Sequence, residues 1–327
     1  MASRQVAIVG MDTVGVALAQ ALKQLLAEGV IIAVDADADR RQAAKQQAKV
    51  DHAEGNFANG CRDAELIILN APLLQLRDAL QTLGEMSSEA VVLALSPVAV
   101  EPLRWADEFL PQGVPYMVSH LILHPDVATD GDPVDDFFHG AVLCLLATVD
   151  THPRAIKAGS DLAKLLGARG YFMDAGEHDA LLAMVEGMPG LVAAATLLAA
   201  TRSTQWEELI PLSGVIFKQA TESLFDPAID AGDALIQNRA EVLRQLDAFL
   251  QALRDVRELV EAGQADELKT LLRAAATQRV TWLTERPRRP WNDEEARLGP
   301  PREKLRFDPL APGWGLDSKS KNKAKHN

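Results

Sequence analysis

Apolar residues fall first in a short unbroken run, Val6-Ala7-Ile8-Val9, closed by Gly10, and then at helical spacing through Val14, Leu18, Ala21, Leu22 and Leu25. A run this short is the pattern of a strand buried on both faces, and recurrence at three and four residues is one face of a helix. Residues 5–9 and 13–27 therefore predict strand, turn and helix. Gly29 closes the helix, and a second apolar run over 30–34 stops at Asp35, completing a β-α-β unit. The alternation continues with a helix over 38–49, strands over 66–69, 91–95 and 116–118, and helices over 74–83 and 100–109. A strand over 141–147, a helix over 152–166 and a strand over 171–173 extend it to about Asp174. Strands that alternate with helices predict a mostly parallel sheet. From residue 177 strand patterns give way to helical stretches over 177–202, 212–224, 233–261 and 265–284. The fold class expected is an α/β Rossmann domain over 1–174, followed by an all-α C-terminal domain over 175–284. Six of the 17 prolines come after Thr284, so 285–327 predicts an extended arm or a disordered tail.

Composition sharpens this outline. Alanine and leucine abound while aromatics make up 5% of the chain, which suits helices packed closely on a sheet. The formal net charge is −13; Arg286 to Asn327 carries 11 Lys+Arg against 6 Asp+Glu, leaving 22 against 40 in the remainder. A body of that sign repels nucleic-acid backbones, and Lys319, Lys321, Lys323 and Lys325 read as solvated tail charges. Cys61 and Cys144 are far apart with no histidines at metal-ligand spacing, so they read as buried thiols, with no disulfide and no metal site. No charged-then-apolar leader opens the chain and no uninterrupted apolar run of membrane-spanning length is visible. A cytoplasmic protein without a membrane or nucleic-acid partner is expected. The stretch 233–261 repeats Leu with Ala or Phe on both flanks, more apolar surface than a small bundle covers, which predicts a homodimer through the helical domain.

The chemistry begins at the first turn. A dinucleotide fingerprint, G-x-G-x-x-G between strand and helix, brings backbone close to a pyrophosphate at a helix N-terminus. Here the run is Gly10-Met11-Asp12-Thr13-Val14-Gly15, with Asp12 in place of the middle glycine. Asp12 sets a carboxylate beside the expected phosphates, and it is equally a good N-cap that would occupy the same N–H donors. Asp35, 20 residues past Gly15, is where an acid accepts from the adenosine ribose hydroxyls and repels a 2′-phosphate, favouring NAD over NADP. With Asp37 and Asp39 following, it also reads as a surface-turn acid.

Further segments resemble the prephenate/arogenate dehydrogenase family over about residues 6–284. They are the Rossmann opening, "AELIILNAP" ending at Ala71-Pro72, "LALSPV" around Ser96, "PYMVSH" at His120, "GEHDALLAMVEGMPGLVAAA" and "FDPAIDAGDALIQNRAEVLRQLDAFL". The resemblance implies an NAD(P)-dependent oxidative decarboxylation serving tyrosine biosynthesis, with NAD as cofactor and NADP as a possible substitute. It implies His120 as the base that takes the proton of the substrate's ring hydroxyl, a role that suits an imidazole near neutral pH. Ser96 would orient that histidine or the hydroxyl, and Gly10 to Gly15, Asp35, Ala71 and Pro72 would surround the cofactor. Leu121 follows His120 where the family has proline, so His124-Pro125 is a displaced alternative. The family's two histidines and one arginine for substrate carboxylates correspond to Gly187, Gly190 and Glu222. Lys218 or Arg202 is positioned to compensate, and His178-Asp179 remains either as a substrate-binding pair or as a capping pair near a helix start. Two other readings stay open: a binding or interaction module that keeps the fold without catalysis, and a dehydrogenase for a less anionic substrate.

Overall fold

In the computed structural model, which describes residues 5–26, 29–86, 88–127, 137–224 and 229–286, the short apolar runs become strands of one sheet. They are β1 (Gln5–Val9), β2 (Val30–Val34), β3 (His52–Glu54), β4 (Leu66–Leu69), β5 (Val91–Leu95), β6 (Tyr116–Ile122), β7 (Val142–Leu146) and β8 (Arg169–Met173). The sheet order is β3-β2-β1-β4-β5-β6-β7-β8, with every neighbouring pair parallel except β6 and β7. The predicted arm lies outside the described residues from 287 onward.

Helices cover the strands because each returns the chain to the start of the next parallel strand. They are α1 (Thr13–Leu25), α2 (Ala38–Ala43) with a π turn over Ala44–Ala48, α3 (Phe57–Cys61), α4 (Leu73–Met86), α5 (Val100–Phe109) and α6 (Pro153–Leu166). One face of the sheet packs Ile8, Ile31, Leu93, Met117 and Leu143 against Leu18, Leu22 and Leu162 of α1 and α6. Small residues set the spacing: a Cβ on Gly159 of α6 would lie 2.2 Å from Met117 Cε.

Three features of this unit differ from the sequence expectation. β3 and α3 were not predicted, since β3 is a three-residue edge strand bonded only to β2 and too polar to show as an apolar run. β6 runs four residues beyond Val118, because the buried Ser119 and His120 interrupt the apolar pattern without ending the strand. β7 runs antiparallel to β6, pairing Ser119 with Leu145 and His120 with Cys144. No helical pattern separates those two strands in the sequence, so no parallel crossover is required there.

The second compact unit begins at Gly176. α7 (Ala175–Leu182), a π turn over Ala183–Gly187 and α8 (Met188–Thr201) follow one another directly, and α9 (Trp206–Leu209), α10 (Val215–Ala220), α11 (Ile229–Gln237), α12 (Arg239–Glu261) and α13 (Ala265–Glu285) complete it. The helix predicted over 212–224 is instead α10 flanked by short 3₁₀ turns, with Gly214 in extended backbone before it. The helix predicted over 233–261 breaks at Asn238, whose side-chain amide donates to Asp179 O at 2.7 Å. The continuous helix Ala175–Thr201, 27 residues with a mean hydropathy of 1.8 over its most apolar window, is long and apolar enough to span a membrane. Glu186 interrupts this stretch, so it shows no unbroken apolar run in the sequence. On α12 and α13, Leu243, Leu250, Leu253, Leu272, Val280 and Trp282 are exposed.

Candidate active site

The first turn is built by backbone constraint. β1 lies between β2 and β4, so Gly10 N donates to Val34 O at 2.8 Å on one side and Asn70 N donates to Val9 O at 2.7 Å on the other. The chain then turns at Gly10 with φ +90°, where a Cβ would sit 1.7 Å from Asn70 O. Gly15, inside α1, is equally confined: its Cβ would lie 1.9 Å from Gly10 O. Both fingerprint glycines are therefore demanded by the fold, one for conformation and closeness, the other for closeness alone. β1 is also where the sheet order changes direction, and the crevice at the carboxyl ends of strands at such a point is where doubly wound sheets bind ligands.

Asp12 acts as the N-cap of α1. Its Oδ1 accepts from Gly15 N at 2.9 Å and from Asn70 Nδ2 at 2.7 Å, while the residue remains exposed. Asn70 Nδ2 also lies 3.3 Å from Gly10 O. Asn70 was not singled out from the sequence; it follows an apolar strand like any turn residue, and only the fold brings it to the loop. Met11 is buried, and Thr13 and Val14 are half-buried at the start of the helix. Ala71 and Pro72 follow Asn70 and lead into α4, with Leu76 N donating to Pro72 O at 2.8 Å.

Asp35 is unlike the acids that follow it. Its side chain is 9% exposed, Oδ2 accepts from Met11 N at 2.8 Å, and Oδ1 accepts from Asp37 N at 2.9 Å. It thus ties the first turn to the end of β2 and leaves each oxygen one further acceptor position. Arg40 Nη1 stands 3.8 Å from Oδ2, and Arg41 Nη1 donates to the carbonyls of Asp35 and Ala36 at 2.7 and 2.8 Å. Asp37 caps α2, and the Arg40 and Asp39 N–H groups it accepts hold its carboxyl below the usual range.

Farther along the same strand ends, Ser96 N donates to Ser119 O at 2.9 Å, one step past the aligned pair Leu95 and Ser119. Ser96, just past the end of β5, and His120, within β6, therefore follow that pair in register, and both are buried. The Ser96 hydroxyl donates to Val98 O at 2.6 Å and accepts from Val98 N at 3.3 Å, closing the turn after β5. The neighbouring Ser119 Oγ is wholly buried without a hydrogen-bond partner. His124 lies in the turn beyond β6, partly exposed, its Nδ1 accepting from Asp126 N at 3.3 Å.

In the helical unit His178 is fully buried, with Nδ1 2.8 Å from Asp179 Oδ1. Asn238 and Gln245 donate to Asp179 O and Ala180 O, so α7 is fastened to the start of α12 around this pair. Lys218 on α10 and Glu222 beyond it are exposed. A Cβ on Gly187 would meet Leu235 Cδ2 at 3.1 Å, and one on Gly190 would meet nothing within 4 Å.

Comparison with known proteins matches both units in order. Residues 18–172 match the family model for the prephenate dehydrogenase nucleotide-binding domain, and residues 174–274 that for the prephenate dehydrogenase dimerization domain. The chain is 22% identical over 278 residues to prephenate dehydrogenase of Bacillus subtilis, covering 83% of this chain and 74% of that protein. It is 21% identical over 297 residues to cyclohexadienyl dehydrogenase of Zymomonas mobilis, covering 88% and 99%. Among solved structures, prephenate dehydrogenase of Aquifex aeolicus in complex with hydroxyphenyl propionate and NAD+ superposes with a TM-score of 0.77 at 21% identity, covering 86% of this chain and 99% of that one.

Proposed function

The chain belongs to the prephenate dehydrogenase family, and from that premise we propose that it is a soluble, homodimeric, NAD-dependent dehydrogenase that oxidatively decarboxylates prephenate or arogenate on the route to tyrosine. The observation that carries this reading is the succession of nucleotide-binding and dimerization domain matches through both units, over residues 18–274.

The first turn fits a dinucleotide on its own geometry. Gly10 turns the chain at positive φ, α1 begins beside the point where the sheet order reverses, and Asp35 is half-buried with acceptor positions to spare. Asp12 is the exception, a negative charge where phosphates would lie. When bound, NAD+ supplies the hydride acceptor. In our reading Asp35 accepts from the ribose hydroxyls and disfavours a 2′-phosphate, while Gly10 to Gly15 with Ala71 and Pro72 border the cofactor.

His120 takes the proton from the ring hydroxyl of the substrate as the adjacent C–H bond gives up hydride; the ring carboxylate then leaves as carbon dioxide and its electron pair completes the aromatic ring. A buried strand holds the imidazole in place, which favours a proton transfer that depends on fixed geometry. Ser96, just past the end of β5, orients the histidine or the hydroxyl, which requires its own hydroxyl to turn from Val98 O. His178 and Lys218 are the helical unit's contributions to substrate binding. The apolar residues left exposed on α12 and α13 support burial against a second copy.

The test is NADH production by the purified full chain with prephenate and, separately, with arogenate. Wild-type turnover with at least one of them is expected, and His120→Asn should lower kcat by about 10²- to 10⁴-fold while NAD+ affinity is kept. No turnover with either substrate at high protein concentration, or full activity in His120→Asn, refutes the reading. Sedimentation at micromolar concentration should report a dimer; a monomer there rejects that part.

A further inference from the structure

Asp12 does not stand alone in the place of the fingerprint's middle glycine. Two donors converge on its Oδ1, Gly15 N from within α1 and Asn70 Nδ2 from the end of β4, 58 positions away. The same Asn70 amide lies 3.3 Å from Gly10 O, and the Asn70 carbonyl is the group that a Cβ on Gly10 would strike. The loop between β1 and α1 is thus held to β4 through Gly10 backbone at one end and the Asp12 side chain at the other. A glycine at position 12 would supply neither side-chain bond and would leave a more flexible loop, since glycine loses more conformational freedom than any other residue when it is ordered.

We propose that Asp12 and Asn70 form a paired latch on the cofactor loop, holding it in its bound shape while the Asp12 charge lowers its affinity for the pyrophosphate of an NAD-class dinucleotide. The inference rests on the nucleotide-binding reading above and deepens it. The two effects oppose each other: preformed geometry strengthens binding, and like charge weakens it and speeds release. They are also separable. Both hydrogen bonds use one oxygen, so an Asn at position 12 keeps that acceptor and removes the charge, whereas an Ala at position 70 removes the latch and keeps the charge. Two like charges brought against a third in a water-like dielectric change affinity by roughly tenfold, and added salt screens them.

Calorimetric titration of NAD+ into the full-length protein tests this, with wild type, Asp12→Asn, Asp12→Gly and Asn70→Ala compared at low and high salt. Amide exchange at Gly15 is measured alongside in the ligand-free proteins. Asp12→Asn should bind about tenfold tighter than wild type at low salt, with the gap closing to roughly two- or threefold at high salt. Asn70→Ala should bind more weakly than wild type, and its Gly15 amide should exchange faster before any ligand is added. Equal affinities for wild type and Asp12→Asn at low salt overturn the proposal, as does an Asn70→Ala protein unchanged in both affinity and exchange. If wild type binds and only these contrasts are missing, the latch alone fails. If neither wild type nor Asp12→Gly binds NAD+, the nucleotide-binding reading fails and takes the latch with it.

Discussion

Two glycines with nearly the same positive φ allow the packing of the first turn to be weighed apart from its conformational strain. Gly10 has φ +90° and Gly113, in the loop before β6, has φ +86°. A Cβ on Gly113 would meet nothing within 4 Å, whereas one on Gly10 would lie 1.7 Å from Asn70 O. Alanine at either position incurs the left-handed penalty, about 1–2 kcal/mol. Only at Gly10 must backbone also separate, because an ordinary contact there is about 3.5 Å. The strands that would have to part are joined on both sides of the turn, by Gly10 N to Val34 O and by Asn70 N to Val9 O. Each buried backbone group left without a partner costs about 1–3 kcal/mol and breaking one of these bonds frees two, so Gly10→Ala should lose about 3–8 kcal/mol in total against about 1–2 for Gly113→Ala. That is a large fraction of the usual stability of a domain.

Urea titrations followed by circular dichroism measure the difference, with amide exchange in β1 and β4 locating it. Gly113→Ala should shift the midpoint slightly and leave exchange in β1 unchanged. Gly10→Ala should shift it far more, or abolish the cooperative transition, with β1 and β4 losing protection together. If the two variants are equally stable, the close approach of Gly10 to Asn70 does not constrain the turn and the reasoning fails.

Burial pushes the Cys61 thiol up to about 12, so at pH 8 almost none is thiolate, and a thiol reagent should leave Cys61 unmodified until the protein is unfolded; rapid modification of Cys61 in the native protein contradicts this. For Asp51, burial works to raise the pKa, but hydrogen bonds from Lys23 Nζ and Ile31 N prevail and hold it below the ordinary aspartate value. A depressed folded pKa contributes stability that is complete above the unfolded value near 3.9 and lost as pH falls through the folded one. Asp51→Asn should therefore cost at most on the order of 1 kcal/mol at pH 7, since solvent screens this exposed pair, and progressively less as pH falls below the unfolded value, and a deficit independent of pH in urea titrations contradicts it.

How much of this was legible in the sequence depended on whether a residue's role is local. β1, α1 and β2 follow from apolar runs and helical spacing, and their observed ends fall within two residues of those read from the pattern. His120 and Ser96 stood out by resemblance, yet periodicity alone ended β6 at Val118, since buried polar residues do not register as strand in an apolar count. Asp12 showed both of its possible roles in the sequence, and the hydrogen bond from Gly15 N shows the cap. Asn70 could not have been found this way, because its significance lies in groups 58 and 60 positions distant. Asn238 is a similar case: its amide serves Asp179 O, 59 positions back, at the point where a helix that the pattern reads as continuous divides.

The departures from the family pattern accordingly separate by how far the fold absorbs them. Asp12 is fully absorbed, with a helix to cap and a partner in Asn70. Gly187 is partly absorbed: it ends a π turn, and any larger side chain would press its Cβ to 3.1 Å from Leu235 Cδ2, so a histidine there would require the Leu235 side chain to shift slightly. Gly190 faces open space and Glu222 is exposed on a short turn, so nothing in the local packing of either demands the residue present. A change required by packing carries little information about substrate, whereas one that packing leaves free is open to be set by what binds. Gly190 and Glu222 are therefore the positions at which substituting His and Arg should alter the substrate KM with little change in stability. At Gly187 a histidine should disturb both together.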